Sequence, residues 1–575
     1  MGICKCFSSP KIVKCLAIII PKRKSLGAAY SSSSSHHNYR NISPKDLGPH
    51  LKEKNWAADH QEKIREIKQV LLENLDRDEE MDKKENLILV DAIQRVGIDR
   101  HFDEEIEIIL GRHYNNATNN NLFYFINDDL YYVSLYFRLL RNQGYYVSAD
   151  VFDGFKGNDG KFKEKLGQDI RGLMELHEAS QLRFIDEDII DGAEEFSRVN
   201  LNKCLGNTSS IDDWHKNLIR NTLRNPQHKN IARLNARNYI DGGFVEGCKK
   251  GWGKTLIELA KMDVLMGELL HKEEFLQISK WWGNVGIAEE LQRARNQPMK
   301  WYIWSMAILI DYPSLQVQRI ELTKAIAFVY LIDDIFDLYG NLNELTLFTQ
   351  AIYRWEYGAN DTFPEYMRNS YRALLDTTND IAQKVEKMYG INPIDSLKET
   401  WGSLCRAFLV EARWFRSREL PRAKEYLENG QVSSGVHVIL VHLFFLLGLG
   451  RGHSSIHLND TSTLVSSIAT ILRLSDDLGS AKDEQQDGWD GSYIKCCMND
   501  VPKLSVKEAR ENVEEMISKQ WKNLNKECFL HLNQTNHCFR RASLNAARMV
   551  PLMYTYDQNQ KLMLLQQHVD TSKLL

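Results

Sequence analysis

The sequence predicts an all-α chain of two helical domains, 46–250 and 251–575, behind a basic leader over residues 1–45. Three observations carry this prediction. Apolar residues recur at spacings of three and four in segment after segment, beginning with KIREIKQVLLENL at 63–75. Period-two alternation and glycine-rich phosphate loops after a strand are not found. Only 12 prolines interrupt 575 residues, of which 43% are hydrophobic and 10% aromatic, so long helices and large cores fit the composition. A chain of this length exceeds what one core organises.

The first acidic residue is Asp46. Before it lie Lys5, Lys11, Lys14, Lys22, Arg23, Lys24 and Arg40, with a serine run from Ser31 to Ser35. A basic, serine-rich, acid-free leader reads as an organellar transit peptide, removed before it contributes to the fold; a merely disordered tail is the alternative. Its apolar core, Leu16 to Ile20, is too short to span a membrane. The longest apolar run, 436–450, contains His437 and His442 and is also under spanning length, so it reads as a buried core helix. No membrane span is expected. A net charge of -4 gives no nucleic-acid surface. Ten scattered cysteines lack paired ligand spacing and read as reduced thiols.

The N-terminal half is a succession of amphipathic segments: residues 56–75 and 91–96, then 103–114, 127–147, 163–182 and 186–201, each bounded by Gly, Asn or Asp. Asp186, Asp188 and Asp191 cluster at a helix start, where carboxylates favour the positive end of the dipole, so they read as capping. Five glycines in GGFVEGCKKGWGK (242–254) mark the boundary. Helices beyond it are richer in tryptophan, with Trp281, Trp282, Trp301, Trp304 and Trp355.

Chemistry concentrates in that second half. In AFVYLIDDIFDLYG (327–340), Phe328, Leu331, Ile332, Ile335 and Phe336 define a buried helical face, and Asp333 and Asp337 lie one turn apart. Neighbouring carboxylates in apolar surroundings repel unless a cation lies between them. With no His or Cys nearby, a hard ion such as Mg²⁺ or Mn²⁺ fits best; a solvated acidic turn is the other reading. A second acidic stretch, ATILRLSDDLGSAKDEQQDG (469–488), places Asp476, Ser480 and Glu484 at four-residue spacing, with Asp477 turned elsewhere and Arg473 one turn upstream. Two such helices, distant in sequence, predict facing walls of one cavity. In ELQRARNQPMKWYIW (290–304), Arg295, with Arg293 and Lys300 nearby, could clamp a diphosphate. These parts suit ionisation of an allylic diphosphate: cations neutralise the leaving group, and rings such as Trp304 and Phe328 face the carbocation unless they are plain core.

At LIDDIFDLYG, DDLGSAKDE, HKNIARLNARNYI and ISKWWGNVG the chain resembles the plant terpene synthases over nearly all its length after the leader. The resemblance implies an N-terminal helical domain without catalytic residues and a C-terminal α-helical bundle of the class I terpenoid synthase type. It implies three Mg²⁺ or Mn²⁺ ions, with ligands at Asp333, Asp337, Asp476, Ser480 and Glu484. Diphosphate contacts carry over to Arg295 and Arg473, and Asp334 would stand behind the ligands. Asp333, Asp337 and Arg473 are thus the expected catalytic residues, and Arg295 and Asp476 join them in binding substrate. Two departures matter. The family's tandem arginines, expected upstream of Trp56, are replaced by Asp46 and Leu47, and its RxR becomes Arg295-Asn296-Gln297. Both are similar to the branch that makes acyclic alcohols, which implies water capture of an open-chain cation. The expected reaction is geranyl diphosphate to linalool in the plastid, by a monomer or weak homodimer. Farnesyl diphosphate and nerolidol follow if the leader does not target and the protein is cytoplasmic. Geraniol or myrcene is the alternative product; a prenyl diphosphate synthase and a noncatalytic helical scaffold are remoter readings. MYTYDQNQ (553–560) resembles a capping loop, with Tyr554, Tyr556 and Asp557 near its lip.

Overall fold

The amphipathic segments fold as helices whose apolar stripes meet in two large cores, in a computed structural model that describes residues 56–76, 80–120, 129–206, 212–241, 251–358, 362–450, 458–480, 491–530 and 536–554. In chain order the first helices are α1 (Trp56–Asp76), α2 (Glu80–Arg95), α3 (Asp103–Asn120), α4 (Leu130–Gln143), α5 (Ile170–Ser180), α6 (Asp188–Gly206), α7 (Asp213–Arg224) and α8 (Ala232–Asp241). There follow α9 (Trp252–Val285), α10 (Pro298–Ile308), α11 (Gln316–Asp334), α12 (Leu342–Arg354), α13 (Glu365–Tyr389) and α14 (Ile394–Ser417). The last are α15 (Ala423–Ser433), α16 (Val436–Leu446), α17 (Ser462–Ser480), α18 (Tyr493–Asp500), α19 (Val506–Phe529) and α20 (His537–Met553). Among the described residues the only β pairing is an isolated bridge between Lys156 and Phe162. The all-α expectation therefore holds.

Local chemistry sets the helix ends. Asp129 caps α4 by accepting the Tyr131 and Tyr132 N–H groups, and Gly144, at φ 95°, closes it. Asp188 and Asp191 fall in the first turn of α6, as their sequence position predicts, and Asp191 also pairs with Lys522 of α19 at 2.7 Å. The leader and the glycine-rich stretch 242–250 lie outside the described residues.

The N-terminal core is built on α1 to α4 and the first half of α9 (Trp252, Leu256, Leu259, Val264). Further along, α9 contributes Ile278 and Trp282 to the larger C-terminal core, so one 34-residue helix is shared by both. The apolar run 436–450 forms α16, nearly every residue of which is buried. Residues 423–446 include an 18-residue stretch apolar enough to cross a membrane, but two thirds (67%) of that stretch is buried inside the protein, and Gly435, at φ 72°, breaks the helix. Gly435 is required there twice over: a Cβ would also meet Val329 Cγ1 at 2.6 Å.

Helix α11, which carries the first acidic motif, is tied down by a dry polar knot. Arg319 and Glu274 have fully buried side chains and are paired at 2.6 Å and 2.9 Å, while Tyr302 donates to Glu274 at 2.7 Å. The same guanidinium donates to the carbonyls of Tyr312 (2.7 Å) and Pro313 (2.9 Å) beyond the end of α10. Such a pair is costly to break from one side, because the remaining charge has no water. We expect Arg319→Met to lower unfolding free energy by roughly 3–5 kcal/mol, read by urea denaturation; adding Glu274→Leu should recover part of that loss.

Candidate active site

Helices α10, α11, α14, α15, α16, α17 and α20 enclose a cavity of ≈ 1090 Å³ including its open mouth. Its inner wall is apolar, with Trp304, Ile308, Ile326, Val329, Phe408, Ile439, Leu440 and Leu472. Its polar end gathers Arg295, Lys300, Asp333, Glu411, Arg473 and Asp476. Residues from the two acidic motifs and from the arginine stretch, more than 170 positions apart at the extremes, thus share one chamber.

The first motif ends α11 in a π-helical turn, Ile335–Tyr339, closed by the Gly340 N–H to the Ile335 carbonyl at 2.9 Å. The wider turn rotates Asp337 toward the solvent-facing rim while Asp333 faces the cavity. Arg293 braces this turn: its side chain donates to the Leu338 carbonyl and its N–H to the Tyr339 hydroxyl, both at 2.6 Å. It therefore serves the backbone. Arg295 donates through its backbone N–H (2.6 Å) and Nε (2.7 Å) to Asp334, pairs with Asp333, and lies 5.0 Å from the Tyr330 ring centre. Asp334 is consumed by this contact and nearly buried, so it positions Arg295. Gln297 is exposed at the start of α10, and Asn296 accepts the Trp282 indole N–H at 2.8 Å. Lys300 lies in the chamber, its ammonium pK depressed by burial and by the Arg295 charge.

On α17, Arg473 donates to the Tyr426 hydroxyl through Nε at 2.9 Å and again through Nη2. Tyr426 in turn donates to Asp477 at 3.0 Å, and Asp477 also accepts the Tyr493 N–H at 2.9 Å. Asp477 is thus a buried anchor, while its neighbour Asp476 faces the chamber. Ser480 is the last residue of α17; its side chain and Glu484 lie outside the described residues.

Sequence reasoning missed Glu411 of α14. Its carboxylate accepts from Ser433 at 2.7 Å and lies 3.7 Å from Arg473. Burial pushes its pK up against the pull of Arg473, and the Asp333 charge adds to the rise. Asp337 is pushed up further, to about 8, by lost hydration and then by the charges of Asp333 and Glu411. Its side chain still reaches solvent at the rim, so the direction rests on these neighbouring anions. Oxygen donors that repel one another and no soft ligand make this cluster fit a hard divalent cation. No sequence signal marked Glu411, because one acid on an amphipathic helix resembles any other until the fold aims it inward.

The aromatic lining differs from expectation at one position. Trp304 lines the chamber and donates to the Tyr330 hydroxyl at 3.2 Å, whereas Phe328 packs on Trp281 in the core, away from the cavity. Phe328 and Val329 are neighbours on one helix, and only one of the two faces can be the cavity wall. Phe408, Tyr330 and Tyr554 complete the aromatic surface. Tyr556 and Asp557 lie outside the described residues.

Comparison with known proteins places this geometry. Residues 283–523 match the terpene synthase family, metal binding domain, and residues 35–223 match the terpene synthase, N-terminal domain. Tricyclene synthase 0e23 of Antirrhinum majus is 51% identical over 494 residues, covering 85% of this chain and 84% of that one. S-(+)-linalool synthase of Arabidopsis thaliana is 43% identical over 506 residues, covering 88% and 86%. Both are chloroplastic proteins, and the plastid location expected from the leader follows from that likeness. Isoprene synthase from grey poplar, solved with three Mg²⁺ ions and dimethylallyl-S-thiolodiphosphate, superposes with a TM-score of 0.81 at 28% identity, covering 90% and 97%. Two family domains in order, close relatives along most of the chain and the shared helical architecture lead to one conclusion: this chain belongs to the terpene synthase family.

Proposed function

We propose that the chain is a metal-dependent synthase that ionises geranyl diphosphate and captures water at the tertiary carbon, giving linalool. The observation that carries this reading is the convergence of Arg295, Asp333, Glu411, Arg473 and Asp476 at one end of an apolar chamber. In it, Asp333, Asp337, Asp476, Ser480 and Glu484, with Glu411 beside them, hold Mg²⁺ or Mn²⁺, three ions by analogy with the poplar enzyme. When bound, these ions supply positive charge to the departing diphosphate. Arg295 and Arg473 grip its oxygens, and Lys300 stands where it can replace the cation lost at Gln297. The hydrocarbon tail lies along the apolar wall, where Trp304, Tyr330 and Tyr554 present ring faces to the allylic cation. No protein nucleophile is needed, since water ends the reaction. Residues 46–250 form a domain that contributes no catalytic group, and 251–575 the catalytic one.

An open-chain product is supported by Gln297 and by the missing arginines ahead of Trp56, since both weaken the hold on a diphosphate that would have to stay for ring closure. A second reading is favoured by the 51% identity to a protein named for tricyclene, whose likeness points to a cyclised hydrocarbon. Gas chromatography on a chiral column, with geranyl and farnesyl diphosphates offered separately to the leader-free enzyme, separates the two. Linalool as main product from the C10 substrate supports the first reading; a mainly cyclic mixture overturns it.

Asp333→Ala should abolish turnover, whereas near-normal rates at saturating Mg²⁺ would remove this residue from the site. Glu484→Gln should shift the Mg²⁺ dependence of the rate to higher concentration, against an unchanged curve if it is no ligand. The repulsion at Asp337 has a sign that can be checked without turnover. Its folded-state pK lies above the unfolded value of 3.8, so the metal-free native state binds the extra proton and loses stability as pH rises from about 4 to about 8. Asp337→Asn should therefore raise the melting temperature of metal-free protein at pH 8.5 but hardly at pH 4; equal effects at both would place Asp337 away from the other carboxylates.

A further inference from the structure

Helices α10 and α11 line the chamber in opposite directions, and each sets three residues at successive depths. On α11 Asp333 stands at the polar end, Tyr330 one turn inward and Ile326 one turn beyond it; on α10 the order is Lys300, Trp304 and Ile308. Between the charged groups and the aliphatic depth lies a middle layer whose polar side-chain atoms belong to Trp304, Tyr330 and Tyr554. Both tyrosines are half-buried and line the chamber. The Trp304 indole N–H donates to the Tyr330 hydroxyl at 3.2 Å, and the Tyr330 and Tyr554 hydroxyls are hydrogen-bonded to each other.

The protons of this layer can be counted. Two phenols carry two O–H protons, and the bond between them uses one, whichever phenol donates it. The indole N–H fills a lone pair on Tyr330 and takes up no proton. Lost hydration raises both phenol pKs, so each group stays protonated near neutrality. One phenol O–H is therefore left for the chamber, since no further acceptor for it is found among the described residues. The serine hydroxyls of the lining differ: Ser433 donates to Glu411 at 2.7 Å and Ser434 to the Gln431 carbonyl at 2.9 Å.

We propose that the Tyr330–Tyr554 hydroxyl pair holds the water molecule that captures the cation, an inference that rests on the reading in which water ends the reaction. The carbon to which water adds is three bonds from the departing oxygen, about 4 Å when extended. One helical turn inward from Asp333 is about 5 Å, so with the diphosphate held at Asp333 that carbon comes level with the phenols. The water accepts the free phenol O–H through one lone pair and directs the other at the tertiary carbon. That lone pair becomes the C–O bond, the extra proton of the resulting oxonium passes to the departed diphosphate, and the alcohol remains. Without the water the same cation loses a proton to give an olefin. Tyr330 is thus a positioning residue that sets the share of cation captured.

Gas chromatography of the products that the full chain forms from geranyl diphosphate with Mg²⁺ tests this, the quantity read being the ratio of alcohol to olefin. Tyr330→Phe keeps the ring, removes the hydroxyl and should lower that ratio at least about fivefold. Ser434→Ala removes a lining hydroxyl already engaged within the wall and should leave the ratio unchanged. An unchanged ratio in Tyr330→Phe, whatever its KM, or an equal fall in Ser434→Ala, overturns this inference alone. A wild-type mixture without alcohol overturns the reading beneath it as well. Should Tyr330→Phe not fold, a crystal structure of the unmodified protein takes its place: ordered water bonded to either phenol on the chamber side supports the proposal, and no water at either phenol overturns it.

Discussion

Asp333, Asp337 and Glu411 crowd the mouth of an apolar chamber, and the mutual repulsion of these carboxylates is the constraint that the surrounding structure is arranged to bear. In water three such groups would drift apart at little cost. Here each sits on a packed helix and cannot. The π-helical turn after Asp334 leaves Asp337 exposed at the rim, and Arg295 offsets part of the charge at Asp333 and Asp334. What remains is an excess of negative charge beside a wall of aliphatic and aromatic side chains.

Holding such groups in place requires rigid backing, and the two sides of the chamber find it differently. On the α11 side it comes from Arg319, Glu274 and Tyr302, a buried knot whose arginine lies about four turns before Asp333. On the α17 side it comes from Tyr426, which takes Arg473 on one side and gives its proton to Asp477 on the other. Asp477 then reaches the first N–H of α18. The second aspartate of each acidic pair therefore serves the first: Asp334 orients an arginine beside Asp333, and Asp477 anchors the helix on which Asp476 faces the chamber.

The N-terminal half has its own core and its own buried ion network, with Arg95 and Arg138 against Asp91 and Glu175. It is not merely tethered. Helix α9 runs through both cores, Asn525 of α19 hydrogen-bonds backbone between α5 and α6, and Arg541 of α20 spans from Asp311 to Asp99. Altering one half should therefore be felt in the other through these few polar ties.

What the sequence by itself determined was the local and the periodic. The helical spacing around Phe328 and Leu331, the spacing of Asp333 with Asp337, the stripe from Arg473 to Asp476 and the capping acids of α6 are all set by neighbours within one or two turns, and a residue string displays such relations directly. It also contained the loss of a cation at Gln297, which is a matter of residue type alone. Tertiary structure decided the rest. Glu411 reads as any surface acid until α14 is laid against the π-helical turn that follows α11 and against α15. Phe328 and Val329 differ in role only because a neighbouring helix covers one and leaves the other on the cavity. Arg293 and Arg295 are two residues apart, yet one braces backbone and the other meets Asp333, since their partners arrive from some 40 positions further along the chain. Contacts made across such distances depend on how packed faces meet, and no periodicity in the sequence encodes which face a helix will present to a partner it has not yet met.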